Sequence, residues 1–584
     1  MELISVEDVA KAANLKGPGS KGVAKVLMSA FKLNKLNELY EKHADTKGFD
    51  FVNMILQETG IKYKVPVTDL ERVPKTGPFI IISNHPYGGA EGLILLDALK
   101  NIRPDIKIIA NFLFQKIEPL NEFIFPVNPF ETYRQVSSFQ GLKEAMLHLS
   151  NEHPILIFPA GEVSTFYPGS TAVADRKWSK PALKFIKKVN VPVVPVFFKG
   201  TNSHLFHLLG MIHPTLRTGR LPAELLNKKD KPVNLRIGSA ITVKEQAKFS
   251  SVSIYGRYLR ARVYALDTSE DVKKFFFPKR SESSKHEVVS AVDPLVLQQE
   301  INALPAHYKV TGQNKLEVYC APSSAIPNMI TEIGRMREIT FREVGEGTNM
   351  SIDLDEYDLY YHHLFIWHAD DKKLVGAYRL GFGQDIIDKY GIKGFYTRSL
   401  FKFKKEIYPI FTHAIEVGRS FVIKEYQKSP LPLFLLWKGI FLTLVKRPDY
   451  QYLIGPVSIS NDYSKVSKRI LIDYITRNHF NNELAKYVKP RKKFKVRFPN
   501  VDTEILSDTA TDLVNIDKVI ADIEHDRFKM PVLLKKYIQL NGKIVAFNID
   551  PKFNDALDGL LILNFHDTPR EMIDYLSRES ETKS

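Results

Sequence analysis

The chain has 584 residues, 44% of them apolar, with 82 Lys and Arg against 66 Asp and Glu for a net charge of +16. That length exceeds what one hydrophobic core supports and implies two or three domains. A single cysteine, Cys320, excludes an intramolecular disulfide and fits a reducing compartment. Met1 to Gly22 is too polar for a secretory leader, and no run of about 18 uncharged apolar residues occurs, so a spanning helix is not expected. Pro432 to Val445 comes nearest and is interrupted by Lys438.

Near the start, Lys21 to Tyr40 places Val26, Leu27, Ala30, Phe31, Leu36 and Tyr40 at helical steps with lysines mostly between them. This predicts a basic amphipathic helix able to lie on a bilayer, or an ordinary packing helix with a basic outer side. Next, the β-rich run Phe79 to Ile82 delivers His85 into a Gly-rich turn with Glu91 six residues later. Ile155 to Ser164 is an apolar strand running into a Pro-Gly turn, Phe158-Pro-Ala-Gly-Glu-Val163. Asp175-Arg-Lys-Trp178 precedes a helical stretch, Pro181 to Lys188, and Val191 to Phe198 reads as a second apolar strand. Strands and helices alternate up to about residue 280, as expected of an α/β layer architecture. Residues 281–300 read as a linker, polar and Ser-rich at their start.

The His85 turn suits a general base. A strand end fixes the histidine, Gly88 and Gly89 let the backbone fold Glu91 back, and a carboxylate beside one ring nitrogen leaves the other free to take a proton from a hydroxyl. The ordered set of segments resembles the glycerolipid O-acyltransferase family over residues 70–245. The resemblance implies an α/β acyltransferase domain within residues 1–280, with His85 and Glu91 catalytic. It also implies acceptor binding by Asn84, Phe158, Pro159, Gly161 and Glu162. The family's usual His-x4-Asp is here the longer spacing of a hemolysin-like branch, with Glu in place of Asp. Ala160 and Val163 stand where Glu and Arg are usual, and the arginine expected near Phe125 to Asn128 is missing. Arginine forks suit phosphate monoesters, so the acceptor is expected to lack one there unless Arg134 or Arg176 compensates.

After the linker come a strand at Lys315 to Cys320, a helix at Ile326 to Thr340, and strands at Leu364 to Trp367, Leu374 to Leu380 and Ala414 to Val422. Residues 501–584 are expected to extend this second unit, with strands at Val532 to Gln539, Lys543 to Phe547 and Leu560 to Asn564. Arg337-Glu-Ile-Thr-Phe-Arg342, Asp353 to Asp358 and Ala414-Ile-Glu-Val-Gly-Arg419 resemble the ornithine N-acyltransferases and acyl-homoserine lactone synthases, both variants of the GNAT fold. That resemblance covers about 315–480 and implies a GNAT-like domain within 301–584. Glu416 would help an amine lose its proton, and Arg337, Phe341, Asp353, Asp355, Arg379 and Arg419 would bind substrate. Arg337 and Arg342, five apart, cannot share a helix stripe, and Arg337 is preferred. No metal or other cofactor is expected, because His362 and His363 point to opposite strand faces.

The surplus positive charge calls for an acidic partner. No nucleic-acid-binding motif is present, which leaves an anionic membrane surface and acyl carrier protein. Lys486 to Arg497 carries seven positive residues in twelve with no acid and suits either. Together the halves resemble bifunctional bacterial ornithine lipid synthases. The implied path is N-acylation of an amino acid (ornithine first, glycine next) with a 3-hydroxyacyl chain from acyl carrier protein, then O-acylation of that hydroxyl on the lyso-lipid. The expected place is the cytoplasmic face of the bacterial inner membrane, peripherally bound. The alternative is a phospholipid-remodelling O-acyltransferase with a C-terminal acyl-carrier-binding module.

Overall fold

Ile80, Ile81 and Ile82 are each wholly buried, and a run apolar on both sides is what a parallel strand covered on both faces requires. A computed structural model places them at the centre of the first sheet. It describes residues 2–577 apart from 14, 129–137, 167–172, 213, 229–231, 269–285, 345, 497, 499–500, 511 and 526–527. The expected domain end near 280, Arg134 and residues 281–285 of the linker lie outside these. The rest of the linker is helical from Pro294 onward, in Pro294–Ala303, with Leu297 buried.

The chain divides into two compact units. The first comprises Met1–Glu270, Arg497–Thr509 and Lys518–Arg527, and the second Asp271–Val496, Ala510–Asp517 and Phe528–Ser584. Residues 501–584 are therefore shared between the units rather than belonging wholly to the second.

In the first unit, β1 (Tyr63–Lys64), β2 (Ile80–Ser83), β3 (Lys107–Asn111), β4 (Ile124–Val127), β5 (Ile155–Ile157), β6 (Val193–Lys199) and β7 (Val233–Ile237) lie in the order β1-β7-β6-β2-β5-β3-β4. All pairings are parallel except β6 with β7. One face packs Ile81, Leu156, Val194 and Val196 against Phe51–Leu56 and Ile94–Leu99. Each large aliphatic side chain so buried contributes about 1.5–3 kcal/mol. Helix Lys180–Val189 starts where Ser179 caps Ala182 N at 3.3 Å with Pro181 in the first turn. It stops at Asn190, in the left-handed region at φ 54°.

The expected basic helix over 21–40 is two helices, Ser20–Ala30 and Leu33–His43, broken at Lys32 with φ 56°. Its stripe also differs: Ala24, Met28 and Leu33 are buried while Val26 is 67% exposed. Helical spacing runs on across a two-residue break, so periodicity alone could not see it.

In the second unit, β8 (Lys309–Gln313), β9 (Leu316–Pro322), β10 (His362–His368), β11 (Lys373–Phe382), β13 (Ala414–Val422), β14 (Tyr452–Ile459), β16 (Lys543–Asp550) and β17 (Ala556–Asn564) form a second sheet in the order β16-β17-β14-β13-β11-β10-β9-β8, and β12 (Phe401–Phe403) pairs with β15 (Val488–Pro490). β13 and β14 are parallel and pair only from Ala414↔Tyr452 to Glu416↔Ile454. Beyond that pairing no further ladder links them, and a Cβ built on Gly418 would meet nothing within 4 Å. Val532–Gln539 is a helix, not the expected strand. Its apolar run buries Leu534, Tyr537 and Ile538, a three-to-four-residue spacing that helical packing exploits and the alternating reading missed.

Candidate active sites

In the first unit, β2 ends at Ser83 and the chain turns through His85 to the helix Ala90–Leu99, which carries Glu91 in its first turn. Glu91 is fully buried, and its Oε1 lies 3.3 Å from His85 Nδ1. Oε1 also accepts from Tyr87 N at 2.5 Å and Gly88 N at 3.2 Å, and Oε2 from Gly89 N at 3.0 Å. The carboxylate thus gathers the turn and faces the imidazole at once. Gly88 makes this possible: its φ is 92°, and a Cβ there would fall 2.5 Å from Leu221 and 2.8 Å from Val163.

Burial opposes charge on His85, but the nearby Glu91, with Asp175 beyond it, outweighs this and raises the imidazole above its ordinary value. For Glu91, burial works upward, and the His85 charge with the backbone N–H groups holds it below the usual carboxylate range. With Nδ1 facing the carboxylate, Nε2 remains to take a proton from a hydroxyl. Phe158 stacks on the ring at 4.2 Å between centroids and limits its rotation.

Asp175, 90 residues along the chain from His85, belongs to this site and was not expected. It accepts from His85 N at 3.1 Å, Ser164 Oγ at 2.5 Å and Trp178 Nε1 at 3.0 Å. Its backbone N–H donates to Tyr264 Oη at 2.7 Å, and burial pushes its carboxyl up. The Asp-x-x-Trp spacing was its only sequence signal.

Asn84 needs a correction: its Nδ2 donates to Phe198 O at 2.9 Å and its Oδ1 accepts from Phe198 N at 2.8 Å. Both amide ends are spent clamping β2 to β6, which leaves nothing for an acceptor. In the Phe158–Val163 turn, Pro159 O accepts from Ser179 N at 2.8 Å and Gly161 takes φ 70°. Glu162 pairs with Arg217 at 3.0 Å and with the exposed Arg176 at 3.3 Å. The motif's missing arginine is thus replaced in space by Arg217, already neutralised by Glu162.

The second unit gathers three arginines and three aspartates. Arg337, 1% exposed on the helix Pro327–Glu343, grips Asp358 through two nitrogens at 2.9 and 2.8 Å and lies 3.2 Å from Asp353. It also donates to the Asp353 carbonyl. Arg379 reaches Asp355 at 2.5 Å and Asp358 at 3.3 Å. Arg419 lies 3.4 Å from both Asp353 and Asp355. Burial opposes the Asp358 charge, but Arg337 and Arg379 hold its carboxyl far below the usual range. Arg342 instead pairs with Glu338 at 2.6 Å.

Arg419 is a non-glycine residue in mid-strand with φ 51°. The β11–β13 register shifts between Ala377 and Arg379, opposite this point. A bulge turns a side chain out of strict alternation, and here it lays the guanidinium 4.4 Å from the Phe553 ring centre and 5.1 Å from that of Tyr396. Such a backbone costs on the order of 1–3 kcal/mol and marks functional sites. Phe341 meets Phe553 edge-on at 5.7 Å.

Glu416 has a different task from the expected base. It accepts from Tyr396 N at 2.8 Å, Thr397 N at 2.9 Å and the Tyr361 hydroxyl. Only 2% exposed, it anchors the turn that places Tyr396 under Arg419. Asp358, Tyr361, Tyr396 and Phe553 were not foreseen as site residues. Among the described residues no group of three or more His, Cys, Asp or Glu is placed to hold a metal ion.

The basic segment Lys486 to Arg497 passes through β15, and its Lys486, Lys489, Arg491, Lys492, Lys493 and Lys495 are exposed. Lys486 pairs with Glu483 at 2.6 Å and Lys492 with Asp555 at 2.7 Å. No described helix is long and apolar enough to cross a membrane.

Comparison with known proteins agrees with the two folds. Residues 18–273 match the acyltransferase family model and residues 336–437 the acetyltransferase (GNAT) domain model. The chain is 29% identical over 297 residues to a glycine N(alpha)-acyltransferase of Bacteroides thetaiotaomicron, covering 47% of this chain and 85% of that protein. It is 26% identical over 275 residues to a lyso-glycine lipid O-acyltransferase of Phocaeicola vulgatus, covering 45% of this chain and 95% of that protein. A slighter likeness is to the crystal structure of a 1-acyl-sn-glycerophosphate acyltransferase from Thermotoga maritima, at 19% identity over 41% of this chain and 92% of that one, with a TM-score of 0.25. The chain is an acyltransferase that joins an acyltransferase-family domain to a C-terminal GNAT domain.

Proposed function

We propose that the chain makes a diacylated aminolipid in two steps. The GNAT unit joins a 3-hydroxyacyl chain, carried as a thioester on acyl carrier protein, to the α-amine of an amino acid. The other unit then esterifies the 3-hydroxyl. The relatives named for glycine move the choice of amino acid from ornithine to glycine. The observation that carries the reading is that this one chain holds both a His85–Glu91 pair for hydroxyl activation and a separate arginine-rich GNAT site.

In the O-acylating step, His85 Nε2 takes the proton of the lyso-lipid hydroxyl as its oxygen attacks the thioester carbonyl, and returns that proton to the departing thiolate. Glu91 steadies the imidazolium between the two transfers. In the GNAT unit, the gap opening between β13 and β14 at Gly418 leaves strand N–H groups without a ladder partner there. It can admit an extended thioester arm. Carrier docking is assigned to the exposed lysines around β15, where steering favours a brief encounter. The mono-acylated intermediate partitions to a bilayer by about 0.8 kcal/mol per buried methylene, so joining both activities in one peripheral protein suits it.

Expression in a bacterium that lacks aminolipids, followed by lipid mass spectrometry, tests the reading. Diacylated glycine lipid is expected from the wild type, and mono-acylated glycine alone from His85→Ala. Phosphatidic acid without any N-acyl amino acid would overturn the proposal and favour phospholipid remodelling.

A further inference from the structure

With Glu416 committed to the Tyr396 turn, the amine-acylating site needs another group to accept the proton of the incoming ammonium. The sheet register locates one. Glu416 pairs with Ile454, and Ile454 with Ile562. Counting by twos along each strand places Ser458, Asp558, Asn548 and Asp550 on the face that carries Glu416. Ser458 and Asp558 are direct cross-strand partners, four residues past the last β13–β14 pair, where the two strands have parted. The β16–β17 hairpin also supplies Phe553, which stacks on Arg419.

We propose that Asp558 is the proton acceptor of the amine-acylating site, an inference that rests on the N-acylation reading. Ser458 Oγ donates to Asp558 Oδ1 at 2.7 Å and fixes the carboxyl. The side chain is 2% exposed and lies within electrostatic range of Asp550 on β16, Glu346 beyond the helix Pro327–Glu343, and Arg419 on β13. Tyr396 Oη closes the group, 3.4 Å from Asp550 Oδ2. Burial first, then the charges of Asp550 and Glu346, push the Asp558 carboxyl up to about 8, with Ser458 and Arg419 opposing. A carboxyl so poised can both take and return a proton near neutrality.

In the step, Asp558 takes one proton from the ammonium and the freed amine attacks the thioester carbonyl carbon. A C–N bond forms and the C–S bond breaks. Asp558 returns its proton to the departing thiolate, and the second proton lost by nitrogen leaves to solvent.

The test measures N-acylation by the full-length chain from an acyl-carrier thioester, with glycine and with aminoacetonitrile, an amine already largely uncharged at neutral pH. Asp558→Asn is expected to lower kcat for glycine at pH 7 by about 10²-fold or more, with the KM for thioester unchanged. With aminoacetonitrile the loss should shrink to about 10-fold or less, because that amine brings less proton to remove. Equal losses with both amines, or a glycine rate within about threefold of wild type, would overturn the inference and leave the N-acylation reading standing. A wild type that acylates no amine would overturn both. A second measurement needs no variant at this position: the wild-type kcat/KM for aminoacetonitrile should rise with pH to a plateau near 8. Glu346, pushed up to about 7 by burial and Asp462, is the competing titration, so Glu346→Gln should keep the rise. A flat wild-type profile, or loss of the rise in Glu346→Gln, counts against Asp558.

Discussion

Replacing Glu91 by Gln separates holding the His85 turn from activating its imidazole. The carboxylate serves three backbone N–H groups, two at Oε1 and one at Oε2, as well as His85 Nδ1. A carboxamide offers one oxygen. If that oxygen keeps Tyr87 and Gly88, its NH2 meets the Gly89 N–H, and one buried donor loses its partner at about 1–3 kcal/mol. The charge opposite the imidazolium disappears as well, so proton transfer loses part of the roughly 10²–10⁴-fold that general-base catalysis provides. The expected result is a loss of about 1–3 kcal/mol in urea unfolding of the first unit. It should come with a fall of at least about 10²-fold in single-turnover transfer of an acyl group to N-(3-hydroxyacyl)glycine. Stability lost with transfer intact would make Glu91 a loop tie only, and the general-base argument for His85 would fail with it.

Because Glu91 raises the His85 imidazole, O-acylation should be lost as pH falls through a value above the ordinary imidazole range, and Glu91→Gln should move that limb to lower pH; pH–rate profiles of the two decide it. Arg337→Met should destabilise the second unit by about 3–5 kcal/mol, since it leaves Asp358 and Asp353 charged and buried without their partner; a shift in urea unfolding under about 1 kcal/mol would mean the network is not held by that charge. The Asp558 carboxyl is raised in the fold, so its contribution is most favourable below the unfolded value near 4 and is lost as pH rises to about 8. Asp558→Asn should therefore match wild-type stability at pH 4 and exceed it by a few kcal/mol at pH 8, a crossover readable as Tm against pH. Reversing Lys489, Lys493 and Lys495 to Glu should raise the KM for acyl carrier protein about tenfold or more at low salt and less at high salt, while liposome flotation stays unchanged; lost flotation with an unmoved KM would assign the segment to a membrane.

The sequence by itself determined the elements whose signal is local. The apolar runs at Ile80–Ser83 and Val193–Lys199, the strand Ala414–Val422 and the His-turn-Glu block stand where their composition puts them, because burial on both faces and a glycine turn leave marks in consecutive residues. Two domain families could be recognised from ordered motifs alone. Tertiary structure decided what depends on residues far apart in the chain. Asp175 meets the His85 turn across 90 residues, and Arg217 takes the place of an arginine absent from the motif next to Glu162. Asp558 reaches the Arg419 site only because β17 pairs with β14 and shares its face. Spacing also could not show that Asn84 spends its amide on Phe198, or Glu416 its carboxylate on Tyr396 and Thr397. A side chain's chemical type is written in the sequence, but which donors use up its lone pairs is fixed by folding, where every buried polar group must find a partner.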